Sequence, residues 1–337
     1  MRKGGVREIP RFARDDVAKL IGGRAGQIGG TDDQTLEARE ERMIRLGGPV
    51  FMSEEDRAAG AGESHGAVPD DIAALLRKHK EKGFRAAYAP QLSISDGDRI
   101  RAVRNAFEEA DIMIAEVGYW ANLLDPDEDR AKQHRRSMVE ALAIADELGA
   151  CCAVDVLGSY AAESGNEHDA RNFSQEAFDI AVELARFFID EVKPKRTCFT
   201  YEIFPFNVVD SPEALRALID AVDRDRFGVH MDLVNLVNCP RAYYNSGRIM
   251  RQCVSLFGDR IASAHAKDVA MDSPAISVIL REVRPGLGNL DIGAYLRGLH
   301  ELPQEVPFMM EHLQTEEEYD LAASHIRAVA EAEGVAV

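Results

Sequence analysis

The chain has 337 residues, 46% of them hydrophobic, enough to bury a sizeable core in one barrel-sized domain or in two smaller ones. Its formal net charge of -18 argues against an electrostatic nucleic-acid binder, which needs clustered Lys and Arg, and leaves acidic sites for cations open. No apolar run approaches the roughly 20 residues that span a bilayer, and "MRKGGVREIPRF" has no signal-type apolar core, so no membrane partner and a cytoplasmic location are expected.

The N-terminal stretch is irregular. "GGRAGQIGG" has a weak strand candidate at 26 to 30, and its glycines lack the preceding strand and following helix of a dinucleotide loop. Residues 31 to 80 fit an alternating pattern poorly, and "EEDRAAGAGESHGAVPDD" (54 to 71) reads as a long surface excursion. Residues 1 to 80 are therefore read as an extension that includes the first strand candidate and a long loop, with 81 to 337 as the main body.

From residue 80 onward short apolar runs alternate with amphipathic ones. The strand candidates are 84 to 89, 112 to 119, 151 to 158, 198 to 204, 226 to 233, 261 to 266 and 306 to 313. Helices are predicted over 96 to 110, 136 to 149, 174 to 192 and 210 to 222, and from Thr315 onward, on periodicity and on capping and stop residues such as Gly149 and Pro212. Eight strands alternating with helices over roughly 250 residues match a (β/α)8 TIM barrel, with a doubly wound open sheet as the rival. The five cysteines have no CxxC spacing and three lie in apolar runs, which favours buried free thiols over disulfides or a zinc site.

Four successive strand candidates end in an ionisable residue: Glu202 in "YEIF", Asp232 in "VHMDL", His265 in "SAHAKD" and Glu311 in "FMMEHL". One such residue alone is more often a cap, a surface charge or a satisfied core group. In a barrel, however, all strand C-termini converge on one face, so the four would meet. Three carboxylates without a cation repel one another. With one imidazole they make a hard site suited to a single divalent ion, Mn(II) first, then Mg(II) or Co(II), with softer Zn(II) or iron as alternatives. His230 shares strand parity with Asp232 and is a candidate acid/base or supporting residue, or a hydrogen-bonded barrel layer residue. Lys267 and Arg284 are candidates to bind substrate hydroxyls or a phosphate. Asn235 and Asn238 are pocket groups or turn formers, and Asp268 orients Lys267 or caps the next helix. Glu116 and Trp120 stand at another strand end as substrate-binding candidates, the indole for a sugar face or for packing under a loop. Ser159, His168 and Asn172 follow the run at 151 to 158 and are read as lining the same mouth.

The series "YEIFPFN", "VHMDLVN", "SAHAKDV", "VRPGLGNLD" and "PFMMEHL" resembles the xylose-isomerase-like TIM barrel superfamily, which includes sugar-phosphate isomerases and epimerases, ketose 3-epimerases and endonuclease-IV-like proteins. The resemblance covers about residues 84 to 330. It implies that Glu202, Asp232, His265 and Glu311 are metal ligands and that Glu202 and Glu311 also move protons. Epimerase-like members commonly carry a substrate-binding His three residues after the ligand Asp, where this chain has Asn235.

The expected activity is a metal-dependent sugar isomerase or epimerase, in which one carboxylate removes a proton beside a carbonyl and another returns it through an enediolate. A lyase cleaving 3-keto-(C-)glycosides with a small β-rich partner subunit is the second enzyme reading. A non-catalytic sugar-binding or scaffolding barrel is the third, since fold alone proves no activity. An endonuclease-IV-like role conflicts with the acidic charge and the single metal set. The partners expected are a small-molecule sugar or sugar derivative and further copies of the chain in a homo-oligomer, for which residues 1 to 80 would serve as an interface or lid.

Overall fold

A computed structural model describes residues 43–52, 70–161, 165–272 and 276–337. The strand candidate at 26 to 30 and most of the stretch 54 to 71 lie outside these residues. The barrel strands are β1 (Arg45–Gly47), β2 (Ala86–Tyr88), β3 (Met113–Gly118), β4 (Cys152–Asp155), β5 (Cys198–Tyr201), β6 (Val229–Asp232), β7 (Ile261–Ala266) and β10 (Pro307–Met310). A separate antiparallel hairpin, β8 (Asp268–Met271) and β9 (Leu280–Val283), follows β7 in the chain.

All eight barrel strands run parallel, in the spatial order β5, β4, β3, β2, β1, β10, β7, β6. Single parallel bridges, Phe199 to Phe227 and Glu202 to His230, join the two ends of the sheet and nearly close the barrel. The strand that sequence periodicity missed is β1, which lies within the poorly fitting stretch 31 to 80. Three residues are too few to show a period, and the last of them, Gly47, stands where the neighbouring backbone leaves no room for a side chain. A Cβ on Gly47 would stand 2.3 Å from the Ala86 carbonyl oxygen and 2.7 Å from Met309 Sδ.

The helices are α1 (Asp70–Glu81), α2 (Gly97–Ala110), α3 (Glu128–Leu148), α4 (Gln175–Val192), α5 (Pro212–Val222), α6 (Pro240–Tyr243), α7 (Ser246–Phe257), α8 (Ile292–His300) and α9 (Glu316–Glu333). Their starts follow local chemistry: Asp96, Ser174, Ser211 and Thr315 each accept a hydrogen bond from a first-turn backbone N–H. α3 begins eight residues before the predicted 136 because Asp127 caps it, accepting from the N–H groups of Asp129 and Arg130. Several predicted strands overran at their C-termini, where the chain turns left-handed, at Leu157 (φ 67°) after β4 and at His312 (φ 59°) after β10.

β4, β6 and β10 are buried along their whole length, as expected of strands covered on both faces. On β5, Phe199 packs edge-on against Tyr201 and against Phe188 of α4, with centroids 4.9 and 5.1 Å apart, and the Tyr201 hydroxyl donates to the Ala181 carbonyl. Such side chains contribute about 1.5–3 kcal/mol each when fully buried. This seals α4 to the sheet and holds the end of β5 in place. All five cysteines are free; burial pushes the Cys151 and Cys198 thiols up to about 12. Among the described residues no helix is long and apolar enough to cross a membrane.

Candidate active site

Strand register brings the predicted residues together. Asp232 on β6 lies opposite His265 on β7, which lies opposite Met309 two residues before Glu311, while Glu202 just past β5 bridges to His230. Side chains alternate along a strand, so His230 and Asp232 on β6, and Ser263 and His265 on β7, face the same side. Glu202, Asp232, His265 and Glu311 each offer one ligand atom, all within 4.8 Å of one another.

The His265 ring stands between two acidic groups. Its Nδ1 faces Glu311 Oε1 at 2.6 Å, Glu202 Oε1 at 3.4 Å and Asp232 Oδ2 at 3.8 Å. Its Nε2 faces Glu116 Oε1 at 3.4 Å. Glu116 Oε2 also accepts from His230 Nε2 at 2.7 Å and from the Ser263 hydroxyl at 3.1 Å. Glu116, predicted at the mouth as a substrate contact, is instead buried beneath the carboxylate set, only 2% exposed. His230 is fully buried with it, its ring edge-on to that of His265 at 4.2 Å.

Lys267 is buried and its ammonium lies 2.7 Å from Asp232 Oδ2, beside Glu311 Oε1, and 3.6 Å from Glu282. It is an ion-pair partner of the acids here, not a free substrate contact. Asn235 is likewise engaged, its amide donating to Glu202 Oε1, Asp232 Oδ2 and the Ile203 carbonyl at 3.0–3.2 Å. Backbone N–H groups of Val234 and Asn235 hold the other oxygen of Asp232.

The charges shift one another. Burial alone would raise the Asp232 carboxyl, but Lys267 and His265 hold it well below the usual range. Burial opposes a low value at Glu311 as well, and His265 and Lys267 outweigh it. At Glu202 burial wins and the carboxyl is raised. His265 is raised well above an ordinary histidine because the acids around it outweigh the cost of burying its charge.

Asp268 neither orients Lys267 nor caps a helix. Its carboxylate accepts four backbone N–H groups, Val269 and Leu290 on Oδ1 and Gly286 and Gly288 on Oδ2, at 2.8–3.0 Å. This clamps "RPGLGNL", and a Cβ on Gly288 would stand 2.3 Å from the Asp268 carboxylate. Arg284 enters that loop half-buried, its guanidinium 3.4 Å from the Pro285 carbonyl. Trp120 is half-exposed in the β3–α3 loop with its indole over Gly118, and no hydrogen bond among the described residues joins it to the acids. Asn172 and Ser159 form a buried lock between loops, Asn172 donating to Ser159 Oγ and to the Phe206 carbonyl, so they tie the mouth together rather than face it. His168 leans on the Phe206 ring and Asn238 is exposed.

Sequence reasoning missed three members. Ser263 was readable from its two-residue spacing to His265; Glu282 and His312, which pair at 3.0 Å beside Glu311, carried no local signal. His312 adopts φ 59° immediately after Glu311, strained backbone of the kind that gathers at functional sites.

The donor set fits a divalent ion. Three oxygens and one imidazole nitrogen form a hard site, with His265 Nδ1 and Glu311 Oε1 2.6 Å apart and the Lys267 ammonium beside them. A divalent ion would bind these atoms and offset the repulsion among the three carboxylates.

The profile of the family described as "Xylose isomerase-like TIM barrel" matches residues 76–329. No curated protein sequence matches significantly. Among solved structures, a xylose isomerase-like TIM barrel protein from Mycobacterium smegmatis in complex with magnesium superposes with a TM-score of 0.59 at 17% identity, covering 88% of this chain and 98% of its own. D-psicose 3-epimerase from Clostridium cellulolyticum with D-tagatose gives 0.56 at 13%, covering 87% and 97%. 3-Keto-D-glucoside 4-epimerase from E. coli gives 0.56 at 13%, covering 86% and 99%. At these identities the likeness is one of fold.

Proposed function

Because the chain belongs to the xylose isomerase-like TIM barrel family, we propose that it is a divalent-metal-dependent isomerase or epimerase acting on a sugar or sugar derivative. The observation that carries this reading is the convergence of Glu202, Asp232, His265 and Glu311, with ligand atoms within 4.8 Å, at the C-terminal ends of four barrel strands. The epimerases among the fold neighbours support it by analogy.

Glu202, Asp232, His265 and Glu311 would hold the ion, with Mn(II) the first choice for a donor set rich in carboxylates. When bound, the ion supplies Lewis-acid stabilisation of negative charge developing on substrate oxygens. The chain supplies the rest. Glu202 and Glu311 are the two carboxylates assigned to take a proton from the carbon beside the carbonyl and to return one to it. Lys267 and Asn235 pin their partner oxygens, so the carboxylates enter the reaction already oriented. Arg284 and Trp120 are assigned to the substrate's outer part.

One observation favours a second reading. Asn235 spends its amide on Glu202 and Asp232, so the substrate contact that epimerase-like members make from this position is missing, which keeps lyase cleavage of 3-keto-glycosides with a small partner subunit in play.

The test is metal analysis of wild type and Glu311→Gln, followed by incubation with ketoses, aldoses and 3-keto-glycosides in deuterated water. Bound metal with deuterium entering one sugar only in wild type supports proton transfer; cleavage of a 3-keto-glycoside selects the lyase. No exchange and no cleavage with Mn(II) added overturns both.

A further inference from the structure

Glu116 is a carboxylate that the proposed chemistry does not use, and at 2% exposure no sugar can reach it. Three side chains nonetheless engage it. Oε2 takes two donors, His230 Nε2 at 2.7 Å and Ser263 Oγ at 3.1 Å, which fixes the carboxylate plane and turns Oε1 toward His265 Nε2 at 3.4 Å.

An ionised carboxylate only accepts hydrogen bonds. Facing Glu116, the Nε2 atoms of His230 and His265 must therefore carry hydrogen. A neutral imidazole protonated on Nε2 has its lone pair on Nδ1. In His265 that atom is the one aimed at Glu202, Asp232 and Glu311, nearest to Glu311 Oε1 at 2.6 Å. The His230 ring packs edge-on against the His265 ring, with centroids 4.2 Å apart.

We propose that Glu116 is a positioning residue: held by His230 and Ser263, it fixes the tautomer and ring orientation of His265 so that Nδ1 is presented to a divalent ion. The inference rests on the metal reading above and adds a role for a residue outside the ligand set. Carboxylates that hold a ligand imidazole in this way change metal affinity by about 10–100-fold when lost.

The alternative is that Glu116, His230 and His265, whose ligand atoms also lie within 4.8 Å of one another, bind a second ion themselves. The 2.7 Å approach of His230 to Glu116 is a hydrogen-bond distance, which favours the positioning role.

The experiment titrates Co(II) into ion-free full-length wild type, Glu116→Gln and Ser263→Ala, reading affinity by calorimetry and ligand geometry by the visible Co(II) spectrum. Wild type is expected to bind one ion. Glu116→Gln, whose amide nitrogen can no longer accept from one of its partners, is expected to bind 10–100-fold more weakly with an altered spectrum. Ser263→Ala frees one anchor of the carboxylate and is expected to lose a few-fold; it decides the matter if Glu116→Gln does not fold. Wild-type affinity and spectrum in the folded variants overturn the positioning role while leaving the metal reading intact. Two ions in wild type, one of them lost in Glu116→Gln, replace it with a second site. No ion in wild type overturns the metal reading and this inference with it.

Discussion

The Lys267 ammonium lies 2.7 Å from Asp232 Oδ2, and both side chains are almost wholly removed from solvent. A buried pair of this kind adds little net stability over apolar residues of the same shape, but losing one partner strands the other charge. Lys267→Met is therefore expected to destabilise the ion-free protein by about 3–5 kcal/mol. Because the stranded charge is an acid beside other acids, Mn(II) should recover much of the loss in denaturant titrations. Equal destabilisation with and without Mn(II) would show that Lys267 does not substitute for an ion at these carboxylates.

Asp268→Asn keeps the size of the side chain but turns one acceptor oxygen into a donor facing two backbone N–H groups. The expected cost is about 2–3 kcal/mol. Hydrogen exchange should rise first across residues 284 to 290, because the four bonds hold that loop rather than the barrel wall. An unchanged exchange pattern there would remove the clamp from the account.

Gly47→Ala puts a methyl group 2.3 Å from a backbone carbonyl of the neighbouring strand, which cannot swing aside as a side chain can. Overpacking of this sort costs about 1–3 kcal/mol. Urea denaturation should show a lower midpoint for the variant, and an unchanged midpoint would mean that β1 and β2 separate more easily than their register implies.

His79, on α1, is buried against Phe84 and donates from Nδ1 to the Leu75 carbonyl. Burial lowers its pKa below 6.5, although hydrogen bonds to the backbone of Leu75 and Gly48 act the other way. A histidine depressed in the folded state leaves stability intact above its unfolded pKa of about 6.5, and stability is lost as pH falls through the lowered value. Unfolding free energy should therefore fall between pH 7 and 5 in wild type, with a shallower fall in His79→Leu. Parallel curves would remove His79 as a cause of acid sensitivity.

Seven barrel strands were legible because each is an apolar run bounded by turn residues, and five of the helices because of their periodicity and local cap and stop signals; α1, α6, α7 and α8 went unpredicted. β1, "RLG", shows its strand character only through pairing with Ala86 and Phe308, which are distant in the sequence. The four converging side chains of the site were legible for a related reason: Glu202, Asp232, His265 and Glu311 each interrupt an apolar run at its end. The role of Glu116 was not, since its partner Ser263 is 147 residues away and only barrel closure joins them. Lys267 and Asn235 were read as substrate contacts because a polar residue at a strand end looks the same whether it faces a ligand or a neighbouring carboxylate. Asp268 was misread because its four donors are backbone groups, which leave no trace in residue identity.

The joints of the barrel wall differ in how much backbone holds them. β5 and β6 meet through two single bridges and β1 and β2 through the one pair Gly47 and Ala86, whereas the remaining neighbours share longer ladders. Glu202 follows β5 and Asp232 ends β6, so the Asn235 amide that donates to both acids also adds a side-chain stitch across one of the two thin seams. A ligand drawn to that pair of acids would sit on the seam and add a second stitch.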